Sequence, residues 1–200
     1  MSKQNKMMNV RYLTVTAMLS AIAFVLMLFD FPIAFLIPSF IQMDFSELPA
    51  LIGSFAMGPA CGVMVCLIKN ILHLTVSSTG GVGELSNFIL GTAFVLPAGL
   101  IYKHKKSRKS ALAGSLLGAA FMAVISVFSN YLFVYPFYYN FMPQETILAA
   151  YQAILPSVKS ILQCLIFFNM PFTFVKGMLS VVITFLIYKH ISPLLKGTAR

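Results

Sequence analysis

Lys69 and Lys176 each interrupt an apolar run long enough to cross a lipid bilayer. An ammonium at bilayer depth costs a few kcal/mol or more, so such a residue faces a cavity, a partner group or the membrane surface. Asparagines accompany them: Asn70 beside Lys69, and Asn87, Asn130 and Asn169 near the ends of other apolar runs. Each amide donates two hydrogen bonds and accepts others, so together these groups could line a polar cavity. The competing reading of these groups is internal, with snorkelling or ion pairing for the lysines and interhelical hydrogen bonding for the asparagines. Tyr131, Tyr135, Tyr138 and Tyr139 are placed either to stack a flat ligand or to form an interfacial aromatic belt.

Covalent chemistry has no comparable signature. The sequence holds no His-Glu-x-x-His pair, no Gly-x-Ser-x-Gly elbow and no phosphate-binding Gly-x-x-x-x-Gly-Lys-Ser/Thr loop. Without a nucleotide loop, the chain offers no site of its own for nucleotide hydrolysis. The run Gly80-Gly81-Val82-Gly83 precedes a helix start, which suits an anion and equally suits a tight turn. His73 lies one turn after Lys69 on the same face, and an intramembrane enzyme using Lys69, His73 and Glu84 is the alternative class of function. Cys61, Cys66 and Cys164 lie within apolar runs and lack the spacing of a redox or zinc pair.

The elements that must hold these groups follow from composition and breakers. The chain has 200 residues, 59% apolar and 10% charged, where a soluble domain carries about 25% charged residues. At roughly 20 residues per span, there is room for five or six helices and no separate soluble domain. The apolar stretches are continuous and do not alternate as barrel strands do. We expect an all-α integral membrane six-helix bundle forming one domain over 1–200, with spans near 10–29, 47–58, 60–76, 84–102, 111–135 and 170–191. Residues 30–47, rich in proline, read as a loop, and 144–168 as an interfacial or re-entrant helix. The basic N-terminus and first apolar run look like a secretory signal, but the run is too long for a signal core and reads as an uncleaved span.

Eleven of the fourteen Lys and Arg residues fall in three clusters, at 3–11, 103–109 and 189–200. Six spans put all three on one side, which the positive-inside rule makes the cytoplasm, with both termini there. All five acids fall on or beside the opposite loops. The net charge of +9 is thereby explained by topology and anionic lipid headgroups, and gives no ground for a nucleic-acid partner. At about 1.5 Å per residue, Lys69 is expected near mid-membrane and Lys176 roughly 10 Å below the outer surface, with Asn87 and Asn130 also in the outer half. A polar cavity opening outward is the simplest arrangement. Ala17 and Ala21 form a small-x-x-x-small pair on the first span, which permits close approach of another helix.

Several stretches together carry a resemblance to a known family: Ala17-x-x-x-Ala21, the run at 26–32 ending Asp30-Phe31-Pro32, Asp44-Phe45-Ser46 followed by Leu48-Pro49, Phe55 to Pro59, Lys69-Asn70, Gly83-x-x-x-Asn87-Phe88, Asn130-Tyr131 and Pro171-Phe172-x-x-x-Lys176-Gly177. In this order they resemble the substrate-binding S components of energy-coupling factor (ECF) vitamin transporters, and among these the riboflavin-specific branch. The resemblance implies a multi-pass protein of a prokaryotic plasma membrane, with no enzymatic activity and no catalytic cofactor or metal. Its transported ligand would be riboflavin, or another vitamin in the same fold, and its partners a transmembrane coupling subunit and two ATPases. It further implies that Ala17 and Ala21 face the coupling subunit and that Asn130 and Lys176 touch the vitamin. The substrate-binding set expected on these grounds is Asp44, Phe45, Lys69, Glu84, Asn87, Asn130, Thr173 and Lys176. Thr173 stands where the family often has asparagine, and Glu84 is expected at the pocket mouth.

Overall fold

The computed structural model describes residues 3–33 and 35–196, with side chains from 10 to 188 except 34. Arg200 and the side chains of Lys3, Lys6, Lys189 and Lys196, on which the expected orientation partly rests, lie outside what is described.

Among the described residues seven helices follow in order. They are α1 (Lys3–Leu28), α2 (Glu47–Met57), α3 (Pro59–His73), α4 (Val82–His104), α5 (Arg108–Ser129, continuing to Tyr138), α6 (Gln144–Gln152) and α7 (Ile161–Cys164, continuing to Lys196). Five stretches are long and apolar enough to cross a membrane: Val10–Leu28, Pro59–Val76, Val82–His104, Arg108–Tyr138 and Ile161–Tyr188. The 11-residue α2 is apolar but shorter. It packs against α1, α3, α4 and α7, and its residues from Glu47 to Phe55 are all buried. A helix that is apolar all round belongs inside a bundle.

Two glycines shape this centre. Gly58, at φ 102°, occupies the left-handed region that favours glycine and turns the chain from α2 straight into α3. A Cβ on Gly62 would stand 2.8 Å from the Ala50 carbonyl oxygen and 2.8 Å from Ser54 Cβ, so α2 and α3 approach closely only because no side chain is there.

The segment between α1 and α2, expected as a loop, contains a short antiparallel pairing of Phe31–Pro32 with Gln42–Met43. The last apolar helix differs more. It begins at Ile161 rather than near 170, after a break at 153–160 that holds Pro156. Ser160 caps its start by accepting the Gln163 backbone N–H at 3.3 Å, and Gln163 Oε1 accepts the Lys159 N–H at 2.8 Å. Only α6 therefore remains as the separate short helix of this region.

Both long C-terminal elements contain a π-helical stretch, Asn130–Val134 in α5 and Leu165–Asn169 in α7. Each is closed by an i→i−5 bond, from Tyr135 N–H to the Asn130 carbonyl and from Met170 N–H to the Leu165 carbonyl. In both, the next residue is proline, Pro136 or Pro171. Proline lacks the N–H for an α turn and clashes with the carbonyl four residues back, and the wider π turn relieves both problems. Helix α5 thus runs through Pro136, which reads as a span end in the sequence, and α7 extends upstream of Pro171.

Buried apolar side chains form two clusters. One joins α1 to α5 and α7, with Leu51, Val65, Phe94 and Met122 at its centre. The other joins the 33–43 segment to α6 and the adjoining parts of α5 and α7, around Ile37, Tyr135, Tyr151 and Leu165.

Candidate functional site

Between the two apolar clusters lies a cavity of about 170 Å³, walled by α2, α4, α5, α7 and residues 40–42. Helical spacing aims the side chains. Asn169, Phe172, Thr173 and Lys176 stand at i, i+3, i+4 and i+7 on α7, and Gly83, Ser86, Asn87 and Leu90 repeat that spacing on α4. From α5 come Met122, Asn130, Val134, Tyr135 and Tyr138. Asn130 is the first residue of one π stretch and Asn169 the last of the other, and both line this wall. A second cavity of about 310 Å³ adjoins the first, sharing Phe40, Gln42 and Tyr138 and adding Ser78, Thr79, Phe137 and Ile147.

The amides at the wall are oriented from behind. Asn87 Oδ1 accepts from Asn70 Nδ2 at 3.4 Å, and Asn70 is itself anchored to the Cys66 carbonyl at 2.7 Å. Asn169 Oδ1 accepts from the Tyr151 hydroxyl at 2.6 Å, and that hydroxyl lies 2.5 Å from the hydroxyl of Tyr135. Each oxygen accepts one of these bonds, and both amides keep N–H donors for the cavity.

Below the amides is a buried network of four charges. Lys176 Nζ donates to Asp44 Oδ2 at 2.7 Å and stands 3.5 Å from Glu47 Oε2. Lys69 Nζ donates to Glu47 Oε1 at 3.2 Å and also to Ser46 Oγ. Asp44 Oδ1 accepts the Ser46 N–H at 2.8 Å. Burial by itself raises the Asp44 carboxyl pKa, but the ammoniums of Lys176 and Lys69 outweigh it and hold that carboxyl well below the usual range. Two ammoniums face two carboxylates, so the network is neutral in sum. The ammoniums of Lys69 and Lys176 converge on one carboxylate, that of Glu47.

Of the eight residues expected to bind substrate, Asn87, Asn130, Thr173 and Lys176 line the cavity. The other four are not among its lining residues. Lys69 is fully buried behind it, held by Ser46 and Glu47. Asp44 braces Lys176 from behind. Phe45 packs its ring 6.3 Å from that of Phe31. Glu84, expected at the mouth, is drawn into the α3–α4 turn, where His73 Nδ1 lies at 2.8 Å from Oε1 and the Ser77 and Thr79 hydroxyls donate to Oε2 at 2.9 and 3.0 Å. His73 and Lys69 therefore belong to separate clusters and form no joint site. Tyr135 and Tyr138 join the wall, whereas Tyr131 and Tyr139 line a different surface recess.

Glu47 and Asn169 are lining residues that the expected set lacks. Glu47 read as a helix-start acid. Asn169 carried a usable signal, since it lies at i−4 from Thr173 and i−7 from Lys176 on one helical face.

Ala17 and Ala21 are exposed on the outer face of α1, opposite the buried Val15, Leu19 and Ala23.

The family model described as ECF transporter, substrate-specific component, matches residues 11–188. A riboflavin transporter RibU of Staphylococcus aureus (strain TCH60) is 35% identical over 194 residues, 97% of this chain and 96% of that protein. A riboflavin transporter FmnP of Bacillus subtilis (strain 168) is 35% identical over 189 residues, 93% of this chain and 94% of that protein. A solved structure described as the S component of a bacterial ECF transporter superposes with a TM-score of 0.73 at 33% identity, covering 97% of this chain and 99% of that one. The chain belongs to the family of substrate-specific components of ECF transporters.

Proposed function

We propose that this chain captures riboflavin from outside the cell and delivers it to an ECF module, comprising a transmembrane coupling subunit and two ATPases, that drives uptake. The observation that carries the reading is the cavity itself. Aromatic and aliphatic walls from Phe40, Leu90, Met122, Tyr135, Tyr138 and Phe172 flank a polar face of Asn87, Asn130, Asn169, Thr173 and Lys176. Riboflavin has a flat, mostly apolar ring system with an acceptor-rich edge and a polyol tail. Apolar walls bury the ring, while amide and ammonium donors satisfy the edge, whose groups would be costly to leave unpaired. The riboflavin transporters similar to this chain over nearly its whole length support the same ligand.

In this reading the chain forms one transmembrane domain in a prokaryotic plasma membrane. The five long apolar helices and α2 make six spans, both termini are cytoplasmic, and the cavity opens outward through the adjoining recess at Phe40, Gln42 and Tyr138. Asn87, Asn130, Thr173 and Lys176 contact the vitamin, Asp44 and Lys69 hold the charge network beneath it, and Ala17 and Ala21 meet the coupling subunit. The direct test is a titration of detergent-purified protein with riboflavin, followed by quenching of flavin fluorescence. Saturable quenching at one site per chain is expected. Absence of quenching by a folded sample refutes the assignment.

A further inference from the structure

We infer that Glu47 is the anionic acceptor of the cavity, taking a hydrogen bond from an N–H or O–H donor of a neutral ligand. This rests on the riboflavin reading and adds the hydrogen-bond polarity of the site. Glu47 lines the cavity, and its side chain is 1% exposed. Oε1 is engaged by Lys69 at 3.2 Å. Oε2 is buried and makes no hydrogen bond among the described residues. The Lys176 ammonium stands 3.5 Å from it but is directed to Asp44 at 2.7 Å. Buried carboxylate oxygens are otherwise hydrogen-bonded, because an unpaired one forfeits its hydration.

Three neighbouring groups of the polar wall present donors. Lys176 only donates, and the Asn87 and Asn169 oxygens each accept a bond from behind while both amides keep N–H donors for the cavity. Glu47 is the only carboxylate among the described lining residues. The four network charges already cancel, so a neutral donor completes Glu47 Oε2, which has only the longer ion pair to Lys176 at 3.5 Å, without disturbing the balance, whereas an anion there meets the Glu47 carboxylate. Riboflavin carries two kinds of donor that qualify, the imide N–H of the ring and the hydroxyls of the polyol.

The test measures dissociation constants for riboflavin, for riboflavin methylated at the imide nitrogen, and for lumiflavin, which has a methyl group in place of the polyol. The proteins are wild type, Glu47→Gln, and the paired variant Glu47→Met with Lys69→Met, which removes the acceptor while keeping the network neutral. Melting temperatures identify which variants fold, and Glu47→Gln carries the test if the pair does not. In wild type, one analogue should bind about ten- to a hundred-fold more weakly than riboflavin, as expected for loss of a hydrogen bond to a charged group. That penalty should shrink several-fold in the variants, and the analogue whose penalty shrinks identifies the donor. A merely structural Glu47 would weaken all three flavins alike. Unchanged penalties in a folded variant, or no penalty in wild type, overturn the inference. Failure of wild type to bind any flavin overturns instead the reading on which it rests.

Discussion

The four buried charges and the amides above them divide the polar residues into those that meet the ligand and those that hold the others in place. Asn130 lines the cavity beside the π stretch, so Asn130→Leu should weaken riboflavin binding by about one to two decades, the equivalent of about 1 to 3 kcal/mol for one buried hydrogen bond, with little change in melting temperature. Lys176→Met should weaken binding at least as much and also lower the melting temperature, because Asp44 loses its 2.7 Å partner. Lys69→Met is the contrast. Lys69 is fully buried away from the cavity lining, and its removal strands Glu47, which for a broken buried pair costs about 3 to 5 kcal/mol. Its defect should appear in melting before it appears in affinity. Titration and thermal melting of the three variants decide this, and wild-type affinity in both Asn130→Leu and Lys176→Met would remove the proposed site. The sequence made the lysines conspicuous because charge inside an apolar run has few explanations. It could not divide their labour, since pairing partners such as Asp44 and Lys176 lie 132 positions apart.

Helix α7 shows how an element can be partly legible. Its face Asn169, Phe172, Thr173 and Lys176 has ordinary helical spacing, yet the start at Ile161 was hidden by Pro156, Lys159 and Gln163, which break the apolar pattern. A local signal was present in Ser160-x-x-Gln163, a pattern that favours a helix N-terminus. The π turns were not legible, because a proline in an apolar run reads as a stop, and only packing on both sides keeps such a helix continuous. This assigns the π turn at Leu165–Asn169 a cause in Pro171 and an effect on the part of α7 that precedes it. Pro171→Ala restores the missing N–H and removes the ring clash, so the segment should relax towards regular α-helix. Asn169, Phe172, Thr173 and Lys176 keep their common face, while the part of α7 before the turn, with the buried Ile161, Cys164 and Leu165, rotates against its packing. The melting temperature should therefore fall, with riboflavin affinity affected less. An unchanged melting temperature in a folded Pro171→Ala protein would show that the π turn is independent of the proline.

At the scale of the whole molecule, composition established a helical membrane protein because so apolar a chain has no soluble alternative. The motif order identified its family, while the short buried α2 shows why counting spans by length alone is ambiguous. What a transport subunit needs beyond a pocket is a second, separate surface, and α1 supplies a candidate. Val15, Leu19 and Ala23 turn inward, while Ala17 and Ala21 are exposed together with Leu13, Met18 and Ile22. Neither alanine is among the cavity-lining residues. Two small side chains one turn apart leave a shallow groove into which a partner helix can settle closely, and indole rings there would hold it off without entering the core. Ala17→Trp with Ala21→Trp should therefore leave riboflavin affinity and melting temperature near wild type while abolishing uptake by cells expressing the complete transporter. The measurement pairs equilibrium binding of the purified protein with accumulation of labelled riboflavin at matched expression. Loss of both activities would mean that α1 supports the pocket, and normal uptake would mean that the coupling subunit docks on another face.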